Sequence, residues 1–473
     1  MPPPTGSTIS ALSPVPEDFE GSESPSPLQV RLPNVPLIRK VDTSLNGGEF
    51  STGQGTAVCP PLATTPVTFI DTGNASPRLI RSSIYATAVR EMLEQSRIPF
   101  VLAVTPFATY DRDEKPPPLL SSAPLRCWKC KGIVSTSTMF QYEQKEFRCA
   151  FCGECNDVAD CSDDYSIEKS KGCYEYDLRH GEYKESEMAA RAVKVQMRAS
   201  EGFTTSAFNT SFVLDKDSCI LKKSMHDTET FFVHLHVDDC TQLGSSVAIQ
   251  VTAEYTHSDG SRRLRVINLS LPVVNDIDDL YDAVDQETLG AYLLNAALKP
   301  SVLSSDNSSI GELSYLLRTQ KPAMLPSTLR LQPAYLHTID KLAHVVRDPT
   351  TPASIKAYLR EKISGISVFD AVKLLYVVVC ECTEDVVAKF PIPHSFADFR
   401  GSKLYFIDCG IGRFLWMGRQ VEKIPEEIED ARIIKKGAAN QKWFRMLLAV
   451  DEFSTRAFRS DSVWADDENN NNC

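Results

Sequence analysis

Two Cys-x-x-Cys pairs, Cys127/Cys130 and Cys149/Cys152, flank eighteen residues in RCWKCKGIVSTSTMFQYEQKEFRCAFC, and no other stretch limits the fold so sharply. A Cys-x-x-Cys turn presents two thiolates in a tight knuckle, and two knuckles complete the tetrahedron of soft ligands that zinc prefers. The intervening GIVSTSTMFQYEQKEFR reads as a short β-hairpin, with Phe140, Tyr142 and Phe147 expected over the metal. Sulfur fills all four positions and leaves no place for a catalytic water, so the zinc is expected to be structural. Cys155 and Cys161 read as ordinary free cysteines, and a redox role for the pairs lacks the βαβ frame it needs. Modules of this kind serve transcription, RNA binding and scaffolding, and spacing alone does not choose among them.

The rest of the chain narrows the choice. Fourteen cysteines, behind an N-terminus MPPPTGSTIS with neither a basic nor an apolar leader region, point to a reducing compartment. There, paired thiols bind metal more often than they form disulfides. The formal charge of −12 opposes a main task of gripping nucleic acid, because phosphate contacts dominate such affinity. The longest apolar stretch, LLYVVVC at 374–380, is far too short for a bilayer span. Phosphate-loop, nucleophile-elbow and zinc-protease motifs are missing, GQGTAV and CGIGRF read as turns, and DDLYDAVD reads as a solvated helix face. The expectation is a protein that is not an enzyme.

A length of 473 residues calls for two to four domains. A Pro/Ser-rich segment over 1–50 reads as a disordered tail. TPVTFIDTG predicts a strand, SSIYATAVREMLEQS a short helix, and IPFVLAVTPF a buried strand. SEMAARAVKVQMRAS has the spacing of a helix running into a strand, and residues 203–272 read as all-β. SVAIQVTAEYT alternates apolar and polar residues as a half-buried strand does, and RRLRVINLSL returns as its partner beyond HSDGS. AYLHTIDKLAHVV, ASIKAYLREKI and VFDAVKLLYVVV carry helical spacing. KLYFIDCGIGRFLWMGR places two short strands around a Gly-x-Gly turn with helical text after it, and 466–473 reads as a disordered tail.

Several of these segments together resemble the cargo-selecting adaptor subunit of the COPII vesicle coat. GNASPRLIRSSIYATAVREMLEQSRIPFVLAVTPF and LRCWKCKGIVSTSTMFQYEQKEFRCAFCGECNDV resemble that family's entry and zinc finger. GFTTSAFNTSFV and EYTHSDGSRRLRVINLSLPVV resemble its β-sandwich, LPSTLRLQPAYLHTIDKLAHVV its helical domain, and PIPHSFADFRGSKLYFIDCGIGRFLWMGRQV its gelsolin-like module. The resemblance implies a multidomain α+β chain: a β-sandwich with a zinc-ribbon finger, an all-helical domain and a gelsolin-like α/β module. It implies the N-terminal part of the sandwich at 51–118, the finger at 119–157, and the sandwich proper at 201–275. The helical domain follows at 276–388 and the gelsolin-like domain at 389–465. The family's long α/β trunk of von Willebrand A type is largely absent, because only about 45 residues separate Asn156 from Phe203. Residues 158–200 are then a remnant of the trunk connection.

From the same resemblance come a structural zinc on Cys127, Cys130, Cys149 and Cys152, and a basic cargo-binding pocket of Arg126, Lys131, Arg263 and Arg265. Arg263 and Arg265 stand two apart, so their guanidinium groups leave one strand face while Leu264 and Val266 leave the other. Guanidinium forks suit carboxylates, whereas the Lys131 ammonium acts more as a point charge. The implied partners are the GTPase-activating COPII coat subunit, cytoplasmic tails of membrane cargo and SNAREs, and the ER membrane surface; nucleic acid is not among them. The implied place is the cytoplasm, peripheral on ER exit sites and coat vesicles. The alternatives are a zinc-ribbon protein that binds nucleic acid, and a truncated coat paralogue without function.

Overall fold

Alternating β-branched and aromatic residues in SVAIQVTAEYT and RRLRVINLSLP produce two eleven-residue strands, paired antiparallel from Ser246↔Pro272 to Thr256↔Arg262. The turn between them needs the left-handed backbone that Gly260 adopts, φ +82°. In the computed structural model the residues described are 35–53, 58–62, 65–158, 165–178, 193–207, 219–222, 224–238, 244–298, 325–382, 387–391, 400, 402–421 and 431–435.

The chain enters through α1 (Val35–Asn46), β1 (Gly48–Ser51), β2 (Val67–Ile70), β3 (Ile80–Ser82), α2 (Arg90–Ser96), β4 (Val101–Val104) and β5 (Leu119–Leu120). The finger contributes β6 (Met139–Gln141), β7 (Glu146–Arg148) and β8 (Cys155–Asp157). Then come α3 (Ser166–Ser170), β9 (Cys173–Asp177), β10 (Val193–Ala199), β11 (Phe203–Ala207), β12 (Cys219–Lys222) and β13 (Phe231–Val237). The long hairpin is β14 (Ser246–Thr256) and β15 (Arg262–Pro272). Helices α4 (Ile277–Asp282), α5 (Gln286–Leu298), α6 (Gln332–Arg347), α7 (Ala353–Ile363) and α8 (Val368–Leu375) follow. The last elements are β16 (Val378–Cys382), β17 (Val387–Pro391), β18 (Leu404–Asp408), β19 (Arg413–Met417) and β20 (Arg432–Lys435).

Two sheets make the sandwich, one in the order β12-β10-β14-β15-β9-β5 and one in the order β11-β13-β4-β3. Val247, Ile249, Val251 and Ala253 of β14 share a buried core with Ile267, Leu269 and Leu271 of β15, with β4 and β13, and with the helices. Helix α5 is buried on nearly every side, which its apolar run TLGAYLL permits. Asp285 caps it by accepting the N–H groups of Glu287 and Thr288, and the same carboxylate receives Arg81 Nε at 2.7 Å. A Cβ on Gly290 would meet Tyr335 at 2.9 Å and Leu375 at 3.0 Å, so this glycine sets how closely α6 and α8 approach α5. The C-terminal sheet, β17-β16-β18-β19-β20, stands where the gelsolin-like module is expected.

Several expectations shift against the structure. Residues 35–51, mostly within the expected tail, form α1 and β1, and Asp42 of α1 is ion-paired with Arg330. Residues 173–177 and 193–199, expected as part of a trunk remnant, are β9 and β10 of the sandwich sheet. Among the described residues between the finger and β10, only α3 and β9 are regular elements. VFDAVKLLYVVV ends its helix at Leu375, and its β-branched end becomes β16, so the C-terminal sheet begins before residue 389. The helix expected just before β10, the text of 1–34, and the tail at 466–473 lie outside the described residues. No helix among the described residues is long and apolar enough to cross a membrane.

Candidate functional site

The four finger sulfurs gather at one point. Cys127 Sγ lies 3.6 Å from Cys152 Sγ, and Cys130 Sγ lies 3.5 Å from Cys149 Sγ. All four fall within 4.8 Å of one another. A disulfide would need about 2.05 Å, whereas the edge of a tetrahedron with zinc–sulfur bonds of about 2.3 Å is about 3.8 Å. The donor set therefore fits structural zinc and closes the site to any fifth ligand. Burial raises the Cys130 and Cys149 thiols, whereas at Cys127 the N–H groups of Cys130 and Lys129 outweigh burial and lower the thiol. Cys155, on β8 opposite Arg148, stands outside the cluster and is exposed, while Cys161 lies outside the described residues.

The aromatic cover differs from expectation. Tyr142 sits in the hairpin turn with φ +49° and is 70% exposed, so it does not cap the metal. Phe140 and Phe147 pack on each other and toward Tyr165. The wall beside the sulfurs is Phe151: a Cβ on Gly132 would come within 2.5 Å of its Cδ2 and 3.3 Å of Cys130 Sγ.

The finger is fastened to one face of the larger sheet. The Ile133 N–H donates to Gln250 Oε1, and Gln250 Nε2 donates to Ile133 O and to Asn268 Oδ1, each at 2.9 Å. Arg198 Nε donates to Cys130 O at 3.1 Å, Ser200 Oγ to Ala150 O at 3.0 Å, and Tyr174 Oη to Val134 O. Tyr174, Tyr176, Leu264 and Val266 form a buried cluster with Cys127, Cys149 and Phe151. The alternation of β14 predicts a half-buried strand, yet Gln250, Thr252 and Glu254 on its polar side are buried too, and at Gln250 it is Ile133 of the finger that covers the strand. A glutamine in the middle of a β-branched strand was the only sequence signal of this dock.

The four basic residues do not assemble into one pocket. Strand alternation turns Leu264 and Val266 toward the finger, and so turns Arg263 and Arg265 to the opposite face. There Glu175 of β9 accepts Arg265 Nε at 2.6 Å, Arg263 Nη1 at 3.3 Å and Tyr255 Oη at 2.7 Å. Arg265 also donates to Pro106 O and lies over the rings of Phe107 and Tyr255. Burial alone would raise the Glu175 carboxyl, but Arg265, Tyr255 and Arg263 outweigh it and hold it below its ordinary value. Asp259 receives Arg263 Nη2 at 2.7 Å. The arginine pair is thus neutralised from within, which β9 made invisible to a reading of β15 alone. Arg126 and Lys131 stay with the finger. Lys131 is exposed and donates Nζ to Trp128 O at 2.7 Å, while Arg126 Nη2 is buried and takes no hydrogen-bond partner.

A tetracysteine finger locked to a β-sandwich is the arrangement of two described domains. Residues 124–160 match the Sec23/Sec24 zinc finger, and residues 190–274 match the Sec23/Sec24 beta-sandwich domain. Parts of the chain are similar to Sec24 proteins. It is 35% identical over 138 residues to Protein transport protein Sec24D of Homo sapiens, a stretch covering 28% of this chain and 13% of that protein. It is 25% identical over 278 residues to Protein transport protein SEC24 of Pyricularia oryzae, covering 53% of this chain and 28% of that protein. The chain therefore spans well under a third of the length of these relatives. The fold matches the crystal structure of the human COPII-coat protein Sec24c with TM-score 0.72 at 15% identity, over 87% of this chain and 96% of that one.

Proposed function

We propose that this chain is a COPII coat component that selects transmembrane cargo by binding cytoplasmic sorting signals for transport from the ER to the Golgi. The observation that carries this reading is the finger-on-sandwich unit joined to a helical layer and a terminal sheet, an order supported by likeness to a solved Sec24 chain. Such a protein works without catalysis: it needs rigid surfaces, and the zinc fixes one of them. Its partners in this reading are the GTPase-activating coat subunit and the tails of cargo and SNARE proteins. Its place is the cytoplasmic side of ER exit sites.

Acidic signals would meet the flanks of the first knuckle. Arg126 keeps a buried Nη2 without a partner, and Lys131 is exposed, whereas Arg263 and Arg265 are held by Glu175. The arginine pair then shapes the sandwich rather than touching the peptide. Each charge-assisted contact contributes about 1–3 kcal/mol when partly desolvated and much less when exposed.

The test is a fluorescence-anisotropy titration of acidic cytoplasmic-tail peptides against the purified chain at low and high salt. The expected result is weak, salt-sensitive binding that falls about ten-fold or more in Arg126→Gln/Lys131→Gln with zinc content unchanged. Unchanged affinity at low ionic strength overturns the assignment of these residues. Tight, salt-dependent gel shifts with oligonucleotides, without peptide binding, would favour a nucleic-acid module instead.

A further inference from the structure

Strand β13 reads FFVHLHV, and its two faces have different surroundings. Phe231, Val233 and Leu235 enter the sandwich core. The other face is graded. Phe232 is buried and meets Tyr292 of α5 edge-on at 6.0 Å, His234 is half-buried, and His236 is exposed. Imidazoles two apart on a strand leave the same face. Here the rings stack, with centroids 6.0 Å apart and planes 10° from parallel. Both Nε2 atoms meet hydroxyls rather than apolar side chains. His234 Nε2 shares a hydrogen bond with Tyr292 Oη at 3.2 Å, and His236 Nε2 shares one with Ser206 Oγ at 2.9 Å. Ser206 stands opposite His234 in the β11–β13 ladder, so the His236 ring leans back along the strand toward its neighbour.

We propose that His234 and His236 form a second metal site, a chelate for an exchangeable first-row divalent cation such as zinc, nickel or copper. Neutral imidazole suits these ions, whereas magnesium and calcium take oxygen ligands. Metal–nitrogen bonds of about 2.0–2.1 Å place two ligating nitrogens about 3.4 Å apart, which a modest tilt of two parallel rings supplies. The Ser206 and Tyr292 hydroxyls then turn from the rings to water held on the cation. Among the described residues the finger cysteines are the only group of three or more histidine, cysteine or carboxylate ligands close enough to share an ion. The imidazole pair is therefore two-fold, and water completes its shell. Open positions make the ion exchangeable, unlike the zinc of the closed finger. Because Tyr292 belongs to α5, an occupied site also bears on the contact between this sheet and the helical layer. The plainer alternative is an aromatic ladder that needs no ion, in which Tyr292 meets His234 edge-on at 5.3 Å. The inference needs no coat partner, so it stands or falls separately from the function proposed above.

The experiment is isothermal titration of Ni2+ into the full, untagged, zinc-loaded chain, with zinc content measured before and after. The expected result is one Ni2+ per chain with the finger zinc retained. About a hundred-fold excess of Mg2+ should leave the binding unchanged. His236→Asn should weaken it by about ten-fold or more, and because His236 is exposed this variant keeps its fold. His234→Asn should weaken it likewise. His257→Asn, in the turn between β14 and β15, should leave it as it is. No saturable binding, binding that survives His236→Asn, or an equal loss in His257→Asn overturns the proposal. So does displacement by Mg2+, which would put the ion on carboxylates, or release of zinc at saturation, which would put nickel on the finger cysteines.

Discussion

Replacing Gln250 with leucine should loosen the finger without touching a zinc ligand. The Gln250 amide satisfies both the N–H and the carbonyl of Ile133, each at 2.9 Å, inside a fully buried contact. Leucine has a similar volume, so little cavity forms, but two buried backbone groups lose their partners. Each unpaired group costs about 1–3 kcal/mol, so docking should weaken by about 2–6 kcal/mol. The molecule has several cooperative units, and a single unfolding midpoint would not isolate this one. Hydrogen exchange does. The Ile133 amide and its neighbours in the finger should exchange about thirty-fold faster or more, while the central strands β14 and β15 keep most of their protection. Unchanged exchange in Gln250→Leu would refute the idea that this amide holds the finger in place.

Gly132→Ala should lower zinc affinity by about ten-fold or more, because its Cβ would press on Phe151 at 2.5 Å and crowd Cys130 Sγ; competition with a chromophoric chelator checks it. Gly172→Ala should destabilise the sandwich by about 3 kcal/mol, since its Cβ would overlap the backbone of Asn74 and Ala75, which cannot step aside; a near wild-type urea profile would contradict this. Glu175 has a folded pKa below its ordinary value of 4.5, so its stabilising contribution is complete above that value. The contribution fades as pH falls through the lowered folded value. Glu175→Gln should therefore cost about 3 kcal/mol at neutral pH and show a flatter stability curve under acid, read by urea unfolding across pH.

Much of the architecture is legible in the residues. The cysteine spacing finds the metal centre, the period-two text finds β14 and β15, and the helical spacing finds α6, α7 and α8. Sequence periodicity is silent on what covers a strand's second face. Nothing local says that Gln250 on the polar side of β14 lies under the finger, since that depends on a contact with a residue more than a hundred positions away. The arginine pair shows the same limit. RRLR reads as an available basic strand until Glu175 arrives from β9 and takes both guanidinium groups. β9 itself was hidden because CYEYD looks like connecting text when its partner strand is not known. Tyr142 and Phe151 exchange roles for a related reason: which aromatic walls a zinc site depends on the turn geometry of the knuckles, and Tyr142 falls at the hairpin tip.

The most direct test of the coat reading is where the intact protein goes in the cell. A tagged full-length chain, followed by fluorescence and by immunoprecipitation from the vesicle fraction, should concentrate at ER exit sites and recover the GTPase-activating coat subunit together with cargo. Loss of the finger through Cys149→Ser should abolish the recovery of cargo. A chain that stays diffuse and recovers neither coat subunit nor cargo would contradict the account.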